Sequence, residues 1–505
     1  MIIITSGAYI SQEMQAEIGK LPPAFLPLGN QKLIYSQVKL LKKAFKEKIY
    51  LTLPEDFVQQ LDDVEESLEI KDLEIVPVNH NLSLGSSVLS ALNMIDNVDE
   101  RVRILHGDTL FLDLPQELDV ISISKAKESY SWRYVDSKKV WSGFFSFSNK
   151  QLLVRCLAFS EGNFEYAIEH YKALMDLKYQ EIPEEQWFDL GHMNTFFQSR
   201  AKMTTERAFN SIQINRSELW KSGIPQQKII AESNWFRKIP ADLRIFTPQY
   251  LGEKVIDDVF FYGLEYLYYL PLNELFVHGR NKVQFWENIY EKLIDVLSQM
   301  NRARIDSSEI TKVSHDSISL YKDKTFRRVE EFKAHSTERQ RFIWSRLDID
   351  NIVKICIERS LNMPVIPSVI HGDFCFSNIL FSSRSQQIKL IDPRGMNFNG
   401  EMTIFGDAKY DVAKLLHSAV GFYDLIIAQQ YNISADGLSI RFPNKYHEFA
   451  DFTLRRPFFK GVLSIELMPI VVLLFISMLP LHQDRIDRQT AFVLNAKRLF
   501  DQYVR

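Results

Sequence analysis

Short apolar runs alternate with helical spacing through the first two hundred residues. Ile2–Thr5, Lys48–Leu53, Glu74–Val78, Val102–His106 and Val120–Ser124 are rich in Ile, Val and Leu and read as buried strands. Between them, residues such as Leu33, Val38, Leu41 and Ala44 fall on one helical face. This alternation predicts a doubly wound α/β sheet with a ligand site at the carboxyl ends of its strands. Farther on, Ser211–Asn215 and Glu218–Lys221 read as strands, a helix follows from about 225 to 238, and 280–362 has helical pattern throughout. Then Val369–Phe381 sets two apolar runs around a polar turn holding Asp373 and Asn378, and a third run, Ile388–Ile391, leads to Asp392.

Length and charge narrow the classes. The chain of 505 residues exceeds one ordinary core, so two or three domains are expected. A net charge of −4 excludes a general nucleic-acid binder, which needs an excess of Lys and Arg. Cys156, Cys356 and Cys375 are far apart with no Cys-x-x-Cys, which fits neither a disulfide framework nor a zinc site and suits a reducing cytoplasm. The opening Met1–Gly7 reads as a first strand and not as a signal peptide. The most apolar stretch, Met468–Leu481, carries Pro469 and Pro480 and falls short of the roughly 20 residues a membrane span needs, so a buried helix is expected there and no span.

Two carboxylates and an amide on the ends of short strands can hold Mg²⁺ and orient a hydroxyl, and phosphoryl transfer asks for little more than positioning and charge neutralisation. The pattern His371-Gly-Asp-Phe-Cys-Phe-Ser-Asn378, followed by Ile391-Asp-Pro-Arg-Gly395, resembles the aminoglycoside phosphotransferase and choline kinase family. The resemblance implies an α+β bilobal kinase-like domain over 206–505, with a small lobe of about 206–275 and a large lobe of about 276–505. It implies ATP and Mg²⁺, with Asp373 as catalytic base, Asn378 and Asp392 as metal ligands, and His371 bracing the loop. Upstream, Leu219-Trp-Lys-Ser-Gly223 and Ile230-Ala-Glu-Ser-Asn-Trp235 look like the phosphate lysine and its helix carboxylate, here Lys221 and Glu232. Asp257–Tyr269 followed by Leu270-Pro-Leu-Asn-Glu-Leu275 resembles the edge strand and hinge at which adenine docks. Gly406-Asp-Ala-Lys-Tyr-Asp-Val-Ala-Lys414 resembles the helix whose acidic residue, here Asp411, buttresses the loop. Arg394 is left open between a phosphate, a substrate carboxylate, and a pairing with Asp407 or Asp411. Residues 321–346 hold eight Lys or Arg against four Asp or Glu, which reads as a solvated helix face or as a cationic wall beside an anionic substrate.

Residues 1–205 carry a second resemblance. Gly7 after the first strand, Gly107-Asp108 after a later one, and Trp187-Phe-Asp-Leu-Gly-His192 resemble, in order and spacing, the sugar-phosphate nucleotidyltransferases. Pro22–Ile34 and Leu84–Ala91 look like two further motifs of that family. The resemblance implies Asp108 and Asp189 as metal-binding carboxylates and CTP, UTP or GTP as nucleotide; read without it, they cap a turn and a helix. The phosphate-holding Arg of the first loop has no counterpart in Ser6–Met14, and the catalytic Lys falls on Pro23. Lys20 and Lys32 are the replacements at hand. His-Gly-Asp recurs at 106–108, but Asp113 stands where the kinase pattern requires Asn.

The expectation is a small-molecule kinase acting on a sugar or polyol, fused to a nucleotidyltransferase-like domain. The pairing suits nucleotide-sugar supply for a bacterial capsule or other surface polysaccharide. An active nucleotidyltransferase with a secondary kinase half, and a non-catalytic metabolite-sensing scaffold, are the alternatives.

Overall fold

The structure is a computed structural model that describes residues 1–29, 31–61, 73–130, 133–203, 206–207, 210–215, 217–458 and 462–505. The chain divides into two compact units, Met1–Thr204 with His278–Arg280, and Thr205–Val277 with Asn281–Arg505. The boundary segment expected at 204–210 lies partly outside the described residues, which omit 204, 205, 208 and 209.

The first unit is α/β. Its strands of three or more residues are β1 (Ile2–Thr5), β2 (Ile49–Pro54), β3 (Leu73–Val78), β4 (Val102–His106), β5 (Thr109–Phe111), β6 (Val120–Lys125), β7 (Lys139–Phe147), β8 (Lys178–Glu181) and β9 (Trp187–Asp189). Seven form one sheet in the order β8-β6-β7-β4-β1-β2-β3, while β5 pairs with β9 apart from it. Pairing is parallel from β4 through β1 and β2 to β3 and antiparallel on either side of β7. β7 is absent from the sequence reading because it shows no alternation. Eight of its nine residues are buried, as happens when both faces of a strand are covered. Its buried serines are satisfied locally: Ser142 donates to Ser122 Oγ at 2.8 Å and Ser146 to the Glu117 carbonyl at 2.9 Å. Ile3, Val76, Ile104 and Phe145 share one core with Val88 and Leu153 from flanking helices. The loops after β1 and β4 line a common cavity.

The second unit is α+β. Its sheet runs β10 (Glu206–Arg207), β11 (Asn210–Asn215), β12 (Glu218–Gly223), β13 (Tyr250–Ile256) and β14 (Val259–Glu265), in the spatial order β10-β11-β12-β14-β13, antiparallel throughout. The strand inside 257–269 is therefore interior rather than an edge; β13, hairpinned onto it through Asp257 and Asp258 at positive φ, takes the edge. Helix α1 (Gln226–Lys238) packs on this sheet. The remainder is largely helical and includes α2 (Lys324–His335) and α3 (Ala408–Ala419), with the hairpin β15 (Ile379–Ser382) and β16 (Gln387–Leu390) between those two helices in sequence.

Helical stretch Ser464–His482 is long and apolar enough to cross a membrane by length and composition, and 78% of that window is buried inside the unit. Within it, Met468–Met478 packs against α3, Ile349–Asn362 and Ile486–Tyr503. That burial is the setting of a core helix, since each fully buried aliphatic side chain contributes about 1.5–3 kcal/mol.

Candidate functional site

In the second unit, the β15–β16 hairpin sets the geometry. Ile379 lies opposite Leu390, and the Ile391 N–H continues the ladder to the Asn378 carbonyl at 3.0 Å. Asn378 and Asp392 thus emerge at one end of the hairpin, with Asp392 at φ +57°, outside strand geometry. Gly395 follows at φ +65°, pressed against α1, where an added Cβ would come within 2.0 Å of the Ala231 carbonyl oxygen. Only glycine permits that approach, and it brings the loop beside the helix that carries Glu232.

Lys221, on β12, joins the two layers. Its Nζ lies 2.7 Å from Glu232 Oε2 and 2.9 Å from Asp392 Oδ1, and Tyr262 donates to the same Glu232 oxygen at 2.9 Å. Lys221 and Glu232 are 3% and 2% exposed. Burial alone would discharge the amine, but the charges of Asp392 and Glu232 outweigh it and raise its pKa.

Asp373 sits at the other side of the loop. Its Oδ2 accepts from Asn378 Nδ2 at 3.0 Å and its Oδ1 meets Lys414 Nζ at 2.8 Å. Burial raises its pKa, yet Lys414 beside it and Arg394 nearby hold the carboxyl well below the usual range. Lys414 is the residue the sequence reading missed: it stands on α3 three positions after Asp411, on the same helical face. Asp411 accepts the backbone N–H groups of His371 and Gly372 at 2.6 and 2.8 Å, and burial pushes its carboxyl up to about 7 despite these bonds. His371 is fully buried, and its Nε2 meets the Ile391 carbonyl at 2.9 Å. Burial lowers its pKa to about 4, so the ring is neutral and carries its proton on Nε2. Burial pushes the Cys375 thiol up to about 12, which suits a packing residue.

Arg394 pairs with neither Asp407 nor Asp411. Asp407 is taken by Lys409 Nζ at 2.7 Å and the Tyr321 hydroxyl at 2.9 Å, and Asp411 by the two backbone groups. The Arg394 guanidinium lies instead 5.5 Å from the centre of the Tyr410 ring.

The first unit builds a different site. Leu190 N–H bonds to the Asp108 carbonyl at 2.9 Å and Asp189 lies opposite Thr109, so β5 and β9 bring Asp108 and Asp189 together. A Cβ at Gly191 would stand 2.4 Å from Asp108 Oδ2. Asp189 accepts from the Tyr130 hydroxyl at 2.9 Å and the Gly191 N–H at 3.0 Å, and His192 Nδ1 is 3.4 Å away. Asp189 ends β9 and caps no helix, since the next one spans Met193–Met203. Burial and the Asp189 charge push Asp108 up to about 6.

Both carboxylates line a cavity of about 360 Å³ with Gly7, Tyr9, Leu84, Trp141 and Trp187. Among the described residues no Lys or Arg lines it. Lys20 pairs with Asp56 at 3.2 Å and lies over the Tyr9 ring, and Lys32 packs over Phe25; neither lines the cavity. Lys127 donates to the Trp187 carbonyl, and burial lowers its pKa to about 8. No group of three or more His, Cys, Asp or Glu among the described residues is arranged to hold a metal.

No family model matches the chain, and no curated protein matches it. Among solved structures, it is similar to a nucleoside-diphosphate-sugar pyrophosphorylase from Vibrio cholerae RC9 at 14% identity, covering 40% of this chain and all of the other, with a TM-score of 0.33. An inositol-1-phosphate CTP transferase from T. maritima matches at 13% identity, over 41% of this chain and 97% of that one, with a TM-score of 0.31. The GDP complex of wild-type aminoglycoside 2'-phosphotransferase-IIIa matches at 13% identity, over 58% and 90%, with a TM-score of 0.37. Likeness of this size leaves substrate open.

Proposed function

We propose that the second unit transfers the terminal phosphoryl group of ATP to a hydroxyl of a small sugar or polyol. The observation that carries this reading is Lys221, held between Glu232 and Asp392 with Asp373 and Asn378 on the same loop system. Lys221 supplies a buried, fixed cation for the phosphates of the nucleotide. Asn378 and Asp392 fit Mg²⁺, since they offer an amide and a carboxylate oxygen from one hairpin end, and hard oxygen donors with room for substrate phosphates suit that ion. When bound, Mg²⁺ supplies neutralisation of the charge on the transferring phosphate.

Asp373 is oriented by Asn378 and Lys414 and receives the proton of the acceptor hydroxyl. Because its pKa is held low, its contribution is mainly alignment of the hydroxyl with proton acceptance late in transfer. His371 and Asp411 position the loop and touch no reacting atom.

The first unit is proposed as a binding domain for a sugar or nucleoside. Its carboxylate pair could hold a cation, but a nucleotidyltransferase must also neutralise a triphosphate, and the cavity wall offers no Lys or Arg for that among the described residues. Nucleotide-sugar supply for a surface polysaccharide, in the cytoplasm where ATP is made available, is the setting in which both units would serve one product.

The test is ADP release from ATP and Mg²⁺ with a panel of sugars and polyols. The reading predicts turnover on at least one acceptor and its loss in Asp373→Ala; equal turnover by that variant refutes it. Pyrophosphate release from CTP, UTP or GTP with a sugar phosphate, abolished by Asp108→Ala, would make the first unit the transferase. Nucleotide binding with neither turnover would leave a sensor.

A further inference from the structure

Three cations gather around Tyr410 from segments far apart in sequence, Lys324 on α2, Arg394 after β16 and Lys414 on α3, and the last of them reaches Asp373. Lys324 Nζ donates to the Tyr410 hydroxyl oxygen at 2.9 Å, Arg394 lies over its ring, and Lys414 bridges from there to Asp373. Only Lys414 has a carboxylate partner. Among the described residues, neither Lys324 nor Arg394 forms an ion pair, because the neighbouring Asp407 and Asp411 are held by Lys409, Tyr321 and backbone N–H groups. Around Tyr410, then, Lys324 and Arg394 carry positive charge with no carboxylate at ion-pair distance among the described residues, and Arg394 stands near enough to Asp373 to help depress its pKa.

Lys324 and Arg394 are both partly exposed. Arg394 also lines a small cavity of about 40 Å³ with Gly372, Asn397, Thr403 and Tyr410. Asp316 borders the same space, with its Oδ2 accepting from Asn397 Nδ2 at 2.9 Å. Arg327, one turn along α2 from Lys324, lies over Phe398, also at this cavity. The cations act on the phenol between them: although burial opposes it, Lys324, Arg394 and Lys414 pull Tyr410 down to about 7. Lys324 itself is pulled down to about 8 by burial, the condition of a buried amine still short of a counter-anion.

We propose that the acceptor is a hydroxyl compound already bearing a phosphate or a carboxylate, and that Lys324 and Arg394 seat this oxyanion beside Asp373. The inference rests on the phosphotransferase reading and deepens it. Arg offers a planar fork that matches either oxyanion, and Lys a point charge. A neutral sugar would leave both cations without an anionic partner from the substrate.

Two measurements on the full chain test this separately from the parent reading. The first is calorimetric titration of inorganic phosphate in the presence of Mg²⁺ and a non-hydrolysable ATP analogue. Binding is expected, weakened at least tenfold in Lys324→Met and in Arg394→Gln, held within threefold in the charge-keeping Lys324→Arg, and retained in Asp373→Asn. Absence of binding, or binding indifferent to Lys324→Met and Arg394→Gln, overturns the inference and leaves the Tyr410 phenolate as the counter-anion. The second compares ADP release with glucose, glucose 6-phosphate and gluconate. A kcat/KM at least tenfold higher for either anionic compound supports the seat, and the better of the two tells phosphate from carboxylate. Preference for glucose overturns the seat while the kinase reading stands; phosphate binding as described, without turnover on these compounds or on the wider panel of sugars and polyols, upholds an oxyanion site and sinks the kinase reading.

Discussion

The two units each bring a pair of carboxylates to the end of short strands, yet they differ in what surrounds them. In the first, Asp108 and Asp189 face a cavity walled by Tyr9, Trp141 and Trp187, and Asp108 is pushed up to about 6 with no Lys or Arg in the wall among the described residues. In the second, Asp373 and Asp392 each contact an ammonium group, from Lys414 and Lys221, with Arg394 and Lys324 nearby. Carboxylates alone attract a cation. Carboxylates interleaved with fixed cations would hold a metal–phosphate assembly in register, which is what the proposed phosphoryl transfer calls for.

The contrast can be broken in order of expected effect. The largest loss belongs to Asp373→Asn, which removes the proposed proton acceptor; ADP release on the best acceptor should fall by roughly 10²–10⁴-fold. Next is Lys221→Met, which leaves Glu232 buried without its partner and should cost about 3–5 kcal/mol in denaturant unfolding. Lys20→Met in the first unit removes a pair whose partners are 53% and 37% exposed and should cost less than about 1 kcal/mol. Equal costs would show that the burial contrast is misjudged. Gly395→Ala comes third: the Ala231 carbonyl stands in the way, and about 1–3 kcal/mol of overpacking should appear together with a raised KM for ATP.

The smallest effect is a shift in pH profile. Lys414 helps hold Asp373 charged, so the acid limb of kcat should lie below the ordinary carboxylate range in the wild type. Lys414→Met removes the main depressing charge, and the limb should move up toward or above the ordinary value near 4, with activity lost as pH falls through it. An unmoved limb would mean that Asp373 is not the group whose ionisation the rate reports.

How much of this was visible in the sequence depends on how local each contact is. His371, Asp373, Asn378 and Asp392 lie within 22 residues on one turn and one hairpin, so spacing alone brought them together. Lys221 and Glu232 follow from strand-then-helix order, since β12 and α1 are consecutive. Lys414 was legible and overlooked: on a helix that carries Asp411 inward, the residue three positions later points the same way. Lys324 was not legible. It sits 86 residues before Tyr410, in a basic run whose composition fits a solvated helix equally well, and only tertiary packing turns one of its lysines toward Arg394. β7 escaped for a related reason, because a strand buried on both faces loses the alternation by which strands are recognised. The reading of 257–269 found a strand but assigned it to the edge, because the pattern of β13, exposed along most of its length, gave no apolar run to mark a neighbour.

The comparison converges on how many sites in the chain hold a triphosphate. Calorimetric titration of ATP with Mg²⁺ into the full chain measures this directly. The account predicts one site per chain, abolished by Lys221→Met and preserved in Asp108→Asn. Two sites, or a single site lost in Asp108→Asn and kept in Lys221→Met, would contradict it.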